Sequence, residues 1–240
     1  MEIMHFIEEP RPCSYLPGQV AALEYRSFDA LESAEFELLL QRGWRRHGIH
    51  FFRPACAHCR RCQSIRVDVA RFRSTRSQRR TLARNRHIRV EWHPAEATQA
   101  HVDLYNAWHA SMHVLKGWPH SAVTRSEYEH TFVAGSWQFA CEGRYFDGDR
   151  LVGVGLIDWL PGSLSSVYFY HDPAWRKLAP GVFSVLQQIE FCRTLGLPYL
   201  YLGYWIAECP SMAYKNQYRP HELLLGRPKI AEPALWLPPR

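Results

Sequence analysis

The chain has 240 residues, of which 47% are hydrophobic, and its formal net charge is +6. This length and apolar content allow a sizeable core in one large domain or two small ones, and they exclude a disordered or low-complexity chain. No apolar run approaches the about 20 residues of a membrane helix, so we expect a cytoplasmic protein with no membrane partner. The odd number of cysteines, seven, favours reduced thiols or metal ligands over a disulfide framework.

The positive charge is concentrated in one segment of the chain. Between Arg42 and Arg89 there are fifteen arginines and a single carboxylate, Asp68, so the rest of the chain is net negative. Such a block typically binds polyanions, because each phosphate that it neutralises releases condensed counterions. A solvated basic face is the alternative reading. The arginines stop near residues 93–97, so we predict a cysteine-containing basic region over residues 1–95 and a second domain over 96–240.

The first predicted helix lies in DALESAEFELLLQRG. Asp29 and Glu32 have the spacing of a capping box, and Phe36, Leu39 and Leu40 form one apolar face. We therefore expect a helix that starts near Asp29 and ends before Gly43.

Three cysteines follow at C-x2-C-x2-C spacing in RPACAHCRRCQ. Cys56, Cys59 and Cys62 supply three soft ligands, whereas a tetrahedral zinc or an iron-sulfur cluster needs four. Cys13 is the preferred fourth ligand, because the other cysteines fall in the second region. The next choices are His47, His50 and His58. Redox-active thiols without metal, or unliganded structural cysteines, are the alternatives to a zinc or iron-sulfur site.

The next segment, RFRSTRSQRRTLARNRH, predicts a short helix that Ser74 or Thr75 caps. Its exposed faces carry mostly arginine, and HIRVEWH then alternates as a strand does. Our candidates for contact with nucleic-acid phosphates are Arg76, Arg79, Arg80, Arg84 and Arg86.

The second region begins with two predicted helices, over about 98–115 and 124–134. Three strands then form an antiparallel meander with turns at Asp147-Gly148 and Pro161-Gly162, and the helix in GVFSVLQQIEFCRTLG and the strand LPYLYLGYWI follow. This order predicts an α+β protein with an acyltransferase core of the acetyltransferase (GNAT) type. In such a core the helix N-terminus receives a phosphate-bearing donor.

The site of such a core would lie at the strand ends that flank the helix. Hydroxyl, carboxylate and ammonium groups cluster there and could orient an ester and an amine, although aromatic residues in strands most often belong to the core. The candidate catalytic residues are Tyr168, Tyr170, Asp172, Tyr204 and Lys215, and the candidate substrate-binding residues are Trp205, Tyr214 and Arg219.

Five motifs in order resemble those of the bacterial aspartate/glutamate leucyltransferases, which are related to the arginyl-tRNA-protein transferases. They are CSYLPGQ, RGWRRHGIHFFRPACAHCRRCQSIRV, FRSTRSQRRTLARN, SSVYFYHDP and LPYLYLGYWIAECPSMAYKNQYRPHELL. The resemblance implies that leucine moves from leucyl-tRNA to the N-terminal α-amine of proteins that begin with Asp or Glu, which marks those proteins for degradation by the N-degron route. It also implies a GNAT-like core, and a cysteine cluster that corresponds to one for which zinc or iron-sulfur has been considered.

The residues fit this reaction without a cofactor for the chemistry. An aminoacyl-tRNA is already an activated ester, and an α-amine with a pKa of about 8 needs little help to become neutral. An acceptor with an acidic side chain needs a paired cation, and the sequence favours Lys215 or Arg219 for this role. The leucyl side chain is expected near Tyr168, Tyr170 and Trp205.

Three other functions remain open at the level of sequence. An arginyl-tRNA donor would need the same motifs with a different pocket. A CoA-dependent N-acetyltransferase would share the core, but Ala179-Pro180-Gly181 before the long helix offers fewer N–H donors than a pyrophosphate cradle. A non-catalytic zinc-dependent RNA-binding module would leave the second region without a role.

Overall fold

The computed structural model describes residues 1–135 and 137–239. Its strands are β1 (Glu2–Ile7), β2 (Arg11–Pro12), β3 (Val20–Ala21), β4 (Leu23–Phe28), β5 (Arg45–His47), β6 (His50–Pro54), β7 (Gln63–Asp68), β8 (Ile88–Pro94), β9 (Ala140–Asp147), β10 (Arg150–Leu160), β11 (Ser163–His171), β12 (Tyr199–Trp205), β13 (His221–Leu224) and β14 (Trp236–Leu237). Its α-helices are α1 (Ser33–Gln41), α2 (Arg76–Arg84), α3 (Gln99–Lys116), α4 (Arg125–Tyr128), α5 (Pro180–Thr194) and α6 (Pro210–Ala213). A π-helical turn, Glu129–Val133, continues α4, and 3-10 turns span Pro173–Leu178 and Tyr214–Gln217.

An eight-stranded sheet forms the centre of the molecule, in the order β14-β13-β7-β12-β11-β10-β9-β8. The strands β8 to β11 form an antiparallel meander, as the sequence predicts for β9 to β11. The one parallel pair described is β11 with β12, and α5 connects these two strands. The predicted α+β class is confirmed.

Two strands of this sheet come from the first of the two regions predicted from composition. β7 lies between β13 and β12, and β8 lies at the opposite edge beside β9. The domain boundary near residue 95 stays a prediction, since the large sheet draws strands from both of its sides.

The smaller sheet has the order β1-β4-β6-β5, and α1 packs beside it. Helix α1 begins four residues later than predicted, because the carboxylate of Asp29 accepts hydrogen bonds from the N-terminal amine and from the backbone of Ala30. Glu32 is the N-cap instead, in a capping box with Glu35. The predicted apolar face of α1 is buried against Phe51 and Phe139.

The large sheet is covered on both faces because its side chains alternate. On one face, Leu186 and Ile189 of α5 pack against Leu200 and Leu202. On the other face, α3 and the turn after α4 cover β10 and β11, and the small sheet covers the neighbouring strands. In the part of the chain that the structure describes, no helix has the length and apolarity to cross a bilayer.

Candidate active site

The candidate site lies where β11 and β12 diverge. These strands pair over three positions, Ser163 with Tyr199, Leu164 with Leu200 and Ser165 with Tyr201. β12 then bends at Gly203, whose φ of +79° is in the region that favours glycine. A gap therefore opens between the carboxyl ends of two parallel strands, which is the usual place for a ligand in an open sheet.

Arg45 enters this gap from β5 in the small sheet. Its guanidinium donates to the backbone carbonyl of Ser166 in β11. On the other side it lies against Gly203, where an added Cβ would come within 3.5 Å of the Arg45 Nε. Only 8% of the Arg45 surface is exposed, and its buried Nη1 has no hydrogen-bond partner among the described residues.

The neighbouring arginine, Arg46, has a carboxylate partner, whereas Arg45 does not. The Nη2 of Arg46 lies 2.5 Å from an oxygen of the fully buried Asp158. Within residues 1–135 and 137–239, no carboxylate oxygen lies within 4.0 Å of the Arg45 guanidinium. Because arginine stays protonated in proteins, the gap contains a cation with no carboxylate in direct contact, although the buried carboxylate of Asp158 lies near enough to act on its charge.

Tyr204 and Lys215 meet at the end of β12, next to Gly203. The Tyr204 hydroxyl donates to the carbonyl of Gly43 at 2.8 Å, and the Tyr204 carbonyl accepts a hydrogen bond from the Lys215 Nζ at 2.7 Å. Burial, together with the nearby charge of Arg45, lowers the pKa of Lys215 to about 7. Lys215 can therefore gain or lose a proton near neutral pH.

Tyr168 and Tyr170 lie on the face of β11 that α3 covers. The Tyr168 hydroxyl is 3.0 Å from Nε2 of His109, and its ring stacks on Phe132 with centroids 5.6 Å apart. Tyr170 is fully buried and shares a 2.6 Å hydrogen bond with Tyr128. Burial lowers the pKa of His109, so this half-buried imidazole is neutral at neutral pH. The structure thus adds His109 to the candidates that the sequence provided.

The other predicted site residues lie at the ends of β11 and β12 or in the chain that follows them. Asp172 caps the 3-10 turn that precedes α5 and also pairs with Arg150. The indole of Trp205 donates to a backbone carbonyl of α6 at 3.1 Å. Tyr214 is 46% exposed, and Arg219 is exposed and donates to a nearby backbone carbonyl. No observation tests their predicted roles.

The four predicted cysteine ligands line one cavity of about 100 Å³. Tyr15 and Tyr204 line it as well. The Arg227 guanidinium donates to the backbone carbonyls of two residues of the cysteine loop, Cys56 and Cys59. Burial among the other thiols raises the pKa of Cys62 to about 12. The four cysteines that converge on this cavity are Cys13, Cys56, Cys59 and Cys62.

This set of donors fits a soft metal centre in its chemistry, because zinc and iron-sulfur clusters are held by cysteine sulfur. Among the described residues, however, no three of these sulfurs lie within 4.8 Å of one another. Zn–S bonds of about 2.3 Å would bring tetrahedral sulfurs to within about 4 Å of each other. The thiols would therefore have to move inward to bind a single zinc ion.

Four of the arginines predicted to contact phosphates lie on α2, and the fifth, Arg86, lies two residues beyond its end. Thr75 caps this helix in a capping box with Gln78, and buried Gln78 and Thr81 direct the opposite face inward. All five side chains are exposed, and within the described ranges none lies within 4.0 Å of a carboxylate: Arg76, Arg79, Arg80, Arg84 and Arg86. This helix therefore presents a dense positive surface that is free to bind a polyanion.

One further group of potential metal ligands is already neutralised by a cation. His101 lies 2.8 Å from the buried carboxylate of Glu142, and Arg144 bonds to both Glu142 and Glu96. These contacts form a closed network that fastens α3 to β9. We therefore assign this cluster of side chains a structural role.

Two family models match the chain, one after the other along the sequence. The model described as "Arginine-tRNA-protein transferase, N terminus" matches residues 11–80, and the model described as "Arginine-tRNA-protein transferase, C terminus" matches residues 100–225. These spans include the cysteine cavity and both strands of the gap, so the protein is of the tRNA-protein transferase class. The chain belongs to the arginine-tRNA-protein transferase family.

Curated relatives match nearly the full length of the chain and confirm the resemblance seen in the motifs. A protein of Helicobacter hepaticus named "Aspartate/glutamate leucyltransferase" is 36% identical over 98% of this chain and 98% of its own. One of the same name from Halorhodospira halophila is 37% identical over 90% of this chain and 91% of its own. The solved structure of L-PGS from Bacillus licheniformis has 11% identity and a TM-score of 0.44, and covers 66% of this chain and 56% of its own.

Proposed function

We propose that this protein transfers leucine from leucyl-tRNA to the N-terminal α-amine of proteins that begin with Asp or Glu, and so marks them for degradation in the cytoplasm. The observation that carries the proposal is the 36% identity to a curated leucyltransferase across 98% of both chains. The site geometry supports it, because a gap with a buried cation suits an acidic acceptor.

The exposed arginines of α2 are proposed to bind the tRNA. Their side chains make no ion pair within the described residues, so they can neutralise phosphates and release counterions. Contacts of this kind recognise the shape and backbone of RNA rather than its sequence. The helix would thus contribute affinity for the tRNA donor without reading its base sequence.

The reaction is proposed to occur in a GNAT-like core. The order of meander, α5 and β12, together with the divergence of β11 from β12, supports this assignment. The α-amine attacks the ester carbonyl carbon, a peptide bond forms, and the bond to the ribose oxygen breaks. The amine gives up one proton, which ends on the ribose hydroxyl of the released tRNA.

Lys215 and Tyr204 are proposed to position the amine, and Lys215 to take up the proton of its ammonium form. A lysine with a pKa of about 7 is partly neutral at physiological pH, and it lies at the open end of β12. The leucyl side chain is proposed to pack near Tyr168, where Phe132 and Tyr105 provide apolar ring surface.

The cysteines are proposed to hold a structural zinc ion or iron-sulfur cluster, and no cofactor is required for the transfer itself. Cys13 connects the N-terminal segment to the C-x2-C-x2-C loop around one cavity. A bound metal would there supply cross-links between segments of the first region. Such a link would stabilise the face from which α2 projects.

A transfer assay with two donors and four acceptors tests the proposal. Leucyl-tRNA and arginyl-tRNA are each offered to peptides that begin with Asp, Glu, Arg or Ala, and peptide labelling is measured. We expect leucine to be transferred to the Asp and Glu peptides and to no others. No transfer from either donor would contradict the proposed function.

An arginyl-tRNA donor is the second candidate, because the family models carry arginine in their description. Transfer of arginine in the same assay, without transfer of leucine, would establish it. Acetyl transfer from acetyl-CoA in the absence of tRNA would instead establish the N-acetyltransferase alternative.

A further inference from the structure

We propose that Arg45 is the residue that selects acidic acceptors, by binding the side-chain carboxylate of the N-terminal Asp or Glu in the gap between β11 and β12. This inference rests on the proposed function and identifies the residue behind its acceptor specificity. It differs from the expectation drawn from sequence, which favours Lys215 or Arg219.

The hydrogen bonding of Arg45 is incomplete in a way that a carboxylate would complete. One terminal nitrogen, Nη2, donates to the carbonyl of Ser166, while the buried Nη1 has no partner among the described residues. A buried donor without a partner costs free energy that a ligand oxygen recovers on binding. No carboxylate among the described residues pairs directly with Arg45: Asp158 bonds through Oδ1 to Arg46 and acts on Arg45 only from beyond contact distance.

The two other cations are less suited to this role. The Nζ of Lys215 already donates to the Tyr204 carbonyl, and its pKa of about 7 leaves it only partly charged at neutral pH. Arg219 is exposed to solvent, where an ion pair contributes little. Arg45 is permanently charged and shielded from water, which strengthens its attraction for an anion.

The position of Arg45 also fits an acceptor residue whose side-chain carboxylate and α-amine must both be bound. Arg45 lies against Gly203, and Lys215 bonds to the next residue of the strand, Tyr204. A carboxylate at Arg45 and an α-amine near Lys215 can therefore belong to one residue of the acceptor.

The carboxylate is proposed to reach Arg45 from the end of the gap beyond Ser165 and Tyr201. Beyond Ser165 and Tyr201, β11 and β12 share no paired residues in the described register, so admitting a ligand there would break no backbone hydrogen bond between these strands. Because Gly203 has no side chain, the Arg45 guanidinium packs directly over its backbone, where a Cβ would lie 3.5 Å from Nε.

The test compares two peptides that differ only in the first residue, Asp or Asn, on the wild-type protein and on Arg45→Gln. Dissociation constants are measured by calorimetry without tRNA, and kcat/KM is measured in the transfer assay. The wild type should favour Asp by about tenfold or more, as expected for a charge-assisted hydrogen bond. In Arg45→Gln this ratio should fall to within about twofold.

Arg193→Gln is the matched control. Arg193 also donates to a backbone carbonyl, that of Phe72 at 2.7 Å, but it projects from α5 on the other face of the sheet. This variant should keep the wild-type Asp/Asn ratio. Melting temperature and tRNA affinity of all variants separate a loss of specificity from a loss of structure.

Several outcomes would overturn the assignment. A folded Arg45→Gln protein that keeps the Asp/Asn ratio would do so, and so would loss of the ratio in Lys215→Met with retention in Arg45→Gln. A wild type that transfers leucine equally to both peptides would refute the role of Arg45 but not the transfer. A wild type that transfers no leucine would contradict the proposed function, while an Asp preference in binding that Arg45→Gln removes would still support Arg45.

If Arg45→Gln does not fold, the proposal is tested by NMR on the labelled wild-type protein, with Arg45→Lys used to assign the Arg45 signal. In NMR spectra of protein with 15N-labelled arginine, the signal absent from Arg45→Lys identifies the Arg45 guanidinium. The Asp peptide should shift this signal and the Asn peptide should not. A signal that neither peptide shifts would overturn the proposal.

Discussion

Lys215 is a buried lysine whose hydrogen bond goes to a backbone carbonyl rather than to a carboxylate. Burial lowers its pKa from 10.5 to about 7, so the folded protein binds this proton more weakly than the unfolded chain. The free energy of unfolding therefore carries no penalty from Lys215 above about pH 10.5. The penalty grows as the pH falls from 10.5 and is complete below about pH 7. At neutral pH and below, Lys215 lowers the free energy of unfolding.

We therefore predict that Lys215→Met stabilises the protein below pH 7, by about 1 to 3 kcal/mol, while impairing transfer. The gain should shrink as the pH rises from 7 to 10.5, because the wild-type lysine then becomes neutral. Denaturant unfolding at several pH values measures this. Lys177→Met, at an exposed lysine, is the control and should show no pH-dependent gain; a gain in Lys215→Met that is constant with pH would argue against the lowered pKa.

At the scale of single residues, the sequence could not distinguish Arg45 from the other arginines of its block. All fifteen read alike as ligands of a polyanion. What separates Arg45 is its contact with β11 and Gly203, which depends on how the small sheet meets the large one. His109 was missed for a similar reason, since only the packing of α3 on β11 brings it to Tyr168.

At the scale of elements, local signals were sufficient for α2 and for most helices. Thr75 caps α2 as expected, and Thr124 caps α4 in the same way, because a capping box lies within four consecutive residues. The prediction for α1 was wrong by one turn, since the chain terminus occupies the Asp29 carboxylate. Four exposed arginines on α2 then form a surface whose role can be measured separately from folding.

We predict that replacing three arginines of α2, Arg76, Arg80 and Arg84, by Gln weakens tRNA binding by about ten- to a hundredfold at low salt. The slope of log affinity against log salt concentration should fall by about two to three, at somewhat less than one unit per lost phosphate contact. Binding titrations at several salt concentrations give this slope.

A matched control is Arg125→Gln, at an exposed arginine of α4. It should leave the salt slope unchanged. The melting temperature of the triple variant should stay near that of the wild type, because the exchanged side chains are exposed. A triple variant with the wild-type slope would exclude α2 as the tRNA surface.

At the scale of the whole molecule, pairing between distant segments escaped the sequence analysis. β7 shows the alternation of a strand, but nothing local indicates that it inserts between β13 and β12. The convergence of Cys13 with the C-x2-C-x2-C loop was expected from the number of ligands needed, and the structure brings these residues to one cavity. Whether a metal binds them stays a proposal.

We predict that Cys59→Ser lowers the free energy of unfolding and the affinity for tRNA together. Loss of one soft ligand would weaken the proposed metal centre, whose binding energy adds to that of folding. Metal content by elemental analysis, melting temperature and tRNA titration check this, with Cys141→Ser, on β9 away from the cavity, as the control. Lost turnover with unchanged folding and unchanged tRNA binding would instead place the cysteines in catalysis or regulation.

The central position of β7 has a consequence for how the chain folds. Asp68 pairs with Tyr199, and Val67 pairs with His221, so the middle of the large sheet forms only after very long loops have closed. Closing such loops costs entropy before the contacts repay it, and proteins rich in distant pairings fold slowly. Until β7 is inserted, β12 and β13 each expose an open strand edge, which makes a newly made chain prone to aggregate.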